Sequence, residues 1–211
     1  MVRTGKLKLG VVAAGLAVVL AVTVLALLAT QPADAASKYK VVTRTFSNSQ
    51  PITIPLGGGA ATPYPSEKNA SGFKKGRILD ANLTLKTFSH THPDDVDVML
   101  SHRGVNRTVM SDVGGSGDAL NIALKLDDEA TLPLPDEAQL TGGTFKPTNF
   151  GGLEVFPAPA PTPSGLAELS GFDGKNPNGP WQLRVADDFS GHDGGQLAGG
   201  WSITIKARVL R

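Results

Sequence analysis

Acidic and histidine side chains bunch at two places in this chain. The first is His90-Thr91-His92-Pro93-Asp94-Asp95-Val96-Asp97, with His102 further on. Side chains two apart on an extended segment point the same way, so His90 and His92 have the spacing of half a metal site. Asp94, Asp95 and His102 are the candidate third ligands, and a structural hydrogen bond from His90 is the plainer reading. The second is Asp187-Asp188-Phe189-Ser190-Gly191-His192-Asp193-Gly194, acidic and glycine-bearing like a calcium loop. Calcium takes about six to eight oxygen ligands. Asp187, Asp188 and Asp193 are therefore the candidate metal ligands, with calcium as the ion. The segment lacks the EF-hand spacing and its closing bidentate Glu, and turn Asp residues commonly cap their own backbone. Ser190 and His192, with Asp193 or Asp188, include the residue types of a hydrolytic triad, but neighbours on one loop rarely reach triad geometry.

Composition narrows the remaining chemistry. The 211 residues hold 20 Lys+Arg, 19 Asp+Glu and no Cys. Without Cys there are no disulfides, thiolate zinc sites, iron–sulfur clusters or Cys nucleophile. A formal charge of +1 offers no clustered basic face for nucleic acid. With 25 Gly, 15 Pro and only 18% charged residues, the chain reads as a turn-rich β protein.

The N-terminus reads as an address. Arg3, Lys6 and Lys8 precede an apolar run, residues 9–31, then Pro32 and Ala33-Asp34-Ala35. This is the pattern of a secretory signal peptide, residues 1–35, cleaved after Ala35. The run of 9–31 is also long enough for an uncleaved leader helix that tethers the chain to the membrane. Either way residues 36–211 are expected to be exported, secreted or held on the outer face of the cytoplasmic membrane. Residues 1–35 carry three Lys/Arg and one Asp, so the exported part has 17 basic and 18 acidic side chains, a formal −1.

The elements that must hold the acidic segments are strands. Leu79, Ala81, Leu83 and Leu85 alternate with Asp80, Asn82 and Thr84. Val96, Val98 and Leu100 alternate with Asp97 and Met99; Leu120, Ile122, Leu124 and Leu126 with Asn121, Ala123 and Lys125. Trp181, Leu183 and Val185 alternate with Gln182 and Arg184, and Trp201, Ile203, Ile205, Ala207 and Val209 with Ser202, Thr204, Lys206 and Arg208. This period places one face of each strand on a core and the other in water, which favours antiparallel pairing. Weaker strand signals lie at Tyr39–Phe46, Ile52–Leu56 and Arg107–Met110. Gly-rich turns separate about eight antiparallel strands, the signature of an all-β sandwich or jelly roll. The segment from Pro157 to Pro163 reads as a stiff surface loop. Trp181 and Trp201 fall on the core phase, against a sugar-binding aromatic pair. Asn69, Asn82 and Asn106 begin glycosylation sequons.

Five motifs in order add a family resemblance. His90-Thr91 through Val96-Asp97-Val98-Met99-Leu100, Leu126-Asp127-Asp128-Glu129-Ala130, Thr144-Phe145-Lys146-Pro147 and Leu169-Ser170-Gly171-Phe172-Asp173-Gly174 are the first four. The fifth runs from Asn178-Gly179-Pro180-Trp181 through Asp187 and Gly194-Gly195-Gln196-Leu197 to Trp201-Ser202-Ile203-Thr204-Ile205. Together they resemble the P domain (Homo B domain) of proprotein convertases. The resemblance spans roughly residues 42–205. It implies a galactose-binding-like jelly roll that accompanies and stabilises a subtilisin-like protease. No Gly-Thr-Ser serine motif or His-Gly-Thr motif is present, so the expectation is a stand-alone, non-catalytic P-domain module and no enzyme. Its expected partner is a protein, a subtilisin-like protease foremost, and the alternative is an envelope adhesion or glycan-binding module.

Overall fold

Alternation becomes two sheets in the computed structural model, which describes residues 38–211. The expected cleavage site after Ala35 and the membrane tether of residues 9–31 lie outside the described residues. One sheet runs β1 (Tyr39–Asn48), β13 (Trp201–Leu210), β5 (Arg77–His90), β12 (Gly195–Leu197), β2 (Ile52–Ile54), with β8 (Ala119–Leu126) on β5 and β9 (Gly143–Phe145) on β8. The other runs β10 (Thr148–Asn149), β7 (Val105–Ser111), β6 (Val96–His102), β11 (Gly179–Asp187), β3 (Gly59–Ala60), with β4 (Ser66–Ala70) also on β11. Leu83, Leu85, Ile203 and Ile205 of the first sheet share one continuous core with Val98, Leu100, Leu183 and Val185 of the second. Among the described residues the only helical elements are 3-10 turns at Pro93–Asp95 and Leu169–Phe172.

The expected all-β sandwich is present, with two corrections to its strands. Among the described residues thirteen strands replace about eight, because short segments such as β3, β9 and β12 pair where the sequence shows only turns. The sheets are mixed rather than wholly antiparallel: β10 lies parallel to β7 and β9 parallel to β8.

Two inward positions are also corrected. Between β5 and β13 the register slips, with Asp80 opposite Lys206 but Ile78 opposite Ala207. Leu79 is the extra residue of a bulge, which inverts the phase on its N-terminal side. Ile78 is therefore buried and Leu79 is 43% exposed. In β8 the same happens at Asn121, whose φ of +52° belongs to the left-handed region. Ala119 turns inward and Leu120 outward, 66% exposed.

A third correction concerns β6. Asp97 and Met99 were expected in water, yet all seven β6 residues are buried. The covering layer is the 150–165 segment: Phe156 and Ala160 pack on Met99 and Ala186. Tyr64 reinforces it by donating its hydroxyl to the Pro157 carbonyl at 3.0 Å, and burial pushes the Tyr64 phenol up to about 12. The proline-rich loop is on the surface, as its composition implies, but it acts as a lid on the outer face of β6 and β11.

The motif residues are largely framework. Asn178 accepts from the Phe73 N–H at 3.0 Å and donates to the Phe73 carbonyl at 2.8 Å, a side-chain copy of strand pairing. His102 stacks on Trp181 with centroids 4.1 Å apart. Its Nδ1 faces the Pro180 carbonyl and its Nε2 the Asn176 carbonyl, each at 2.8 Å. The Asp128 carboxylate accepts the Leu169 and Ser170 N–H groups at 2.9 and 2.7 Å, capping the second 3-10 turn from another loop. Trp181 and Trp201 are fully buried, as their phase predicts, and Trp201 donates to Ser66 at 2.9 Å.

The bulge makes a discriminating prediction. Ile78→Ala should cost about 2–5 kcal/mol, as for a buried aliphatic, whereas Leu79→Ser should stay within about 0.5 kcal/mol. Denaturant midpoints of the two variants measure the difference, and the reverse order would refute the register.

Candidate functional site

Strand parity sorts the acidic residues at the end of the sandwich where β6 begins and β11 ends. Residue Ala186 of β11 faces outward under the lid while Asp187 faces the core. Adjacent residues on a strand point to opposite faces. The candidate trio Asp187, Asp188 and Asp193 is accordingly divided between two groups.

The inner group surrounds His90. Its Nε2 lies 3.2 Å from Asp187 Oδ2, with both side chains fully buried. The contact lacks good hydrogen-bond alignment, and neither atom has another hydrogen-bond partner. His90 Nδ1 sits 2.8 Å from the His92 carbonyl and 3.2 Å from the His92 N–H. Asp187 Oδ1 accepts the Phe189 N–H at 3.0 Å. Burial pushes the Asp187 carboxyl up, and the Phe189 N–H and His90 partly offset that. Asp95 and Asp193 face one another here, and no N–H or O–H reaches Asp95 Oδ2 or Asp193 Oδ1. Burial and the Asp193 hydrogen bond push Asp95 up to about 7. Burial also works against the Asp193 carboxylate, but its bond from Asp95 helps bring it below the ordinary range. A single proton shared by the pair satisfies both oxygens.

The outer group is Asp97, Glu154 and Asp188, whose carboxylate oxygens lie within 4.8 Å of one another. Asp97 comes from β6, Glu154 from the lid and Asp188 from the residue after β11. Asp97 is 3% exposed, and its Oδ2 has no hydrogen-bond partner. Asp112, just past β7, adjoins them: a Cβ built on Gly151 would strike both Asp112 Oδ2 and Glu154 Oε1. One hydroxyl, Ser111, serves this end. It donates to Asp112 at 2.8 Å and also neighbours Asp97 and Glu154. Arg184, on the same outer face as Asp97, directs its guanidinium to Ser101 and Gln182 instead, at 2.9 and 3.2 Å. Among the described residues no Lys or Arg ion pair reaches the group. Burial pushes Asp97 up to about 8, with Glu154, Asp188 and Asp112 adding repulsion. Burial first and Asp112 second also raise Glu154 and Asp188.

A second cluster, His92, Asp94 and Asp95, meets the same 4.8 Å spacing, with all three half-exposed. The candidate histidine pair is thus not brought together as ligands. His92 joins Asp94 and Asp95, His90 turns to Asp187, and His102 lies at the far end of β6, roughly 20 Å away at strand rise. Ser190 and His192 are exposed. Asn82 is 8% exposed, a poor glycan acceptor. Glu154 carries no sequence signal, because it sits in an irregular loop 57 residues from Asp97; only knowledge that the loop folds back as a lid would find it.

Apolar side chains ring the outer group. Leu153 and Val155, the neighbours of Glu154, are 72% and 86% exposed, and Phe189, beside Asp188, is 55% exposed. Val155 and Phe189 line a groove of about 560 Å³ with Gly57–Gly59, Asp187 and Asp188. A second cleft of about 430 Å³ lies away from this end, over residues 101–106 and Arg184. No family model, curated protein or solved structure matches the chain.

The buried acids set a pH dependence. Asp97 titrates near 8 when folded and near 3.9 when unfolded. The folded chain therefore retains a proton that the unfolded chain releases. That stabilisation is complete below about pH 4 and is lost as pH rises through 8. Asp95, near 7, acts in the same direction. In EDTA-treated buffer the melting temperature should fall from pH 5 to pH 8.5, and Asp97→Asn should flatten that slope. A rise over the same window would contradict the assigned environments.

Proposed function

We propose that the part of the chain after residue 35 is an exported, non-catalytic accessory module. It has the P-domain type of galactose-binding-like jelly roll and docks on a protein partner through its acidic end. The first candidate partner is a separately encoded subtilisin-like protease. One observation carries the docking reading: Leu153, Val155 and Phe189, three large apolar side chains from two loops, stand exposed around a cluster of carboxylates. Isolated exposed apolar residues are ordinary, but here Val155 and Phe189 line one groove beside the carboxylates, and exposed apolar surface next to charge is a mark of an interaction surface. The carboxylates favour a partner face with Lys or Arg beside an apolar patch.

Support for the P-domain type comes from how three of the five motifs sit in the fold, together with His102. Asn178, Trp181, His102, Asp128, Leu169 and Phe172 converge on one framework region around the Trp181 ring. A glycan-binding reading has less to stand on, since Trp181 and Trp201 are fully buried.

Co-purification with subtilisin-like proteases of the same cell, followed by affinity measurement on the purified pair, tests the proposal. The double change Val155→Asp and Phe189→Asp should weaken binding at least tenfold, about 1.4 kcal/mol, while leaving the melting temperature within a few degrees. Unchanged affinity would remove the acidic end as the docking face, and no protease binding at all would remove the partner class.

A further inference from the structure

We propose that Asp97, Glu154 and Asp188, with Asp112 beside them, form a divalent-cation site whose donors fit calcium and which fastens the 150–165 lid to the sheet. The site stands independently of the docking reading. It differs from the loop set Asp187, Asp188 and Asp193, since only Asp188 is common to both.

A group of acids alone would carry nothing, as exposed acidic clusters are common. The second observation is Asp97. This carboxylate is 3% exposed, it lies in a group with Glu154 and Asp188, and its Oδ2 has no hydrogen-bond partner. Buried acceptors are rarely left without a partner. Here the neighbouring groups are themselves acceptors, and the Ser111 hydroxyl, which donates to Asp112 and neighbours Asp97 and Glu154, still leaves Asp97 Oδ2 without a partner. A bound cation satisfies all of these oxygens at once.

The donor set also selects the ion. It is all oxygen, with no His within the group and no Cys in the chain. Such hard donors suit calcium or magnesium rather than zinc or copper. Calcium–oxygen distances of about 2.3–2.6 Å allow ligands on one ion to stand up to roughly 5 Å apart, which accommodates the 4.8 Å spacing. The ligands come from three or four separate stretches, so their separations can adjust, as calcium's flexible shell permits and magnesium's octahedron resists. Asp188 is exposed and Glu154 half-exposed, so water can complete the shell and the ion has an entry path.

The other acidic cluster is the weaker claimant. In His92, Asp94 and Asp95, the Asp95 carboxyl also faces Asp193, outside that cluster. No member of that group is buried.

The test is thermal melting of the purified full-length chain, stripped with EDTA and then titrated with calcium, magnesium or zinc chloride to about 10 mM, alongside Asp97→Asn, Glu154→Gln, Asp188→Asn and Asp95→Asn. Calcium should raise the wild-type melting temperature by about 5 °C or more once it exceeds its dissociation constant a hundredfold. Asp97→Asn and Glu154→Gln remove repulsion, so without metal they should melt no lower than wild type, and calcium should no longer shift them. Asp188→Asn changes an exposed residue and secures the test if a buried change impairs folding. Asp95→Asn should keep the calcium shift. The proposal is overturned by an unchanged wild-type melt in calcium. It is overturned equally by a shift that survives Glu154→Gln but vanishes in Asp95→Asn, or by a larger shift with zinc than with calcium.

Discussion

The first residues of β6 are buried on both faces, and the character of this end of the molecule follows from that. A strand in a two-sheet sandwich usually keeps one wet face. Here Val96, Val98 and Leu100 face the shared core, while Asp97 and Met99 lie beneath the 150–165 lid. The lid is held by apolar contact at Phe156 and Ala160 and by the Tyr64 hydroxyl on the Pro157 carbonyl. It removes water from Asp97 and at the same time brings Glu154 toward it. A carboxylate that would be unremarkable on an open sheet becomes a group that must be protonated or paired with a cation.

The same alternation that builds the sheets distributes their acids. At the end of β11 it turns Asp187 inward to His90 and leaves Asp188 on the outer side with Asp97. Two neighbouring aspartates thus belong to different electrostatic systems only one strand thickness apart. The inner one sets His90 against Asp187 and Asp95 against Asp193, and among the described residues no Lys or Arg ion pair reaches the outer one. That asymmetry is what the proposed cation site rests on, while the contact of His90 with Asp187 links β5 to β11.

Much of the fold was legible in the sequence because period-two patterning reports directly on which face is dry. The inward phase of β11 and β13 is as expected at Trp181, Leu183, Trp201, Ile203 and Ile205, although Arg184 and Ser202 of the other phase are buried as well. The errors at Leu79 and Leu120 come from bulges, where one added residue flips every position on one side of it. Sequence patterning carries no mark of such an insertion unless a residue like Asn121, tolerant of positive φ, stands there. The acidic end was half legible. Both segments, 90–97 and 187–193, were visible as clusters, but their grouping depends on strand parity at the chain reversal and on a lid that contributes Glu154 from a segment without regular structure.

Glu154 is also where the two readings of this end meet. It stands between Leu153 and Val155, which present the most exposed apolar surface of the ring. A cation that holds Glu154 against Asp97 and Asp188 fixes the backbone of that loop, and with it the directions of its two neighbours. Ordering those side chains before a partner arrives lowers the entropic cost of docking. Linkage then requires reciprocity: a partner that prefers the fastened loop raises the affinity of the site for its ion by the same factor. Conversely, a strongly basic partner that places a Lys or Arg into the carboxylates competes with the ion, and the coupling changes sign. The sign of that coupling therefore distinguishes a partner that grips the apolar rim from one that reads the acids directly.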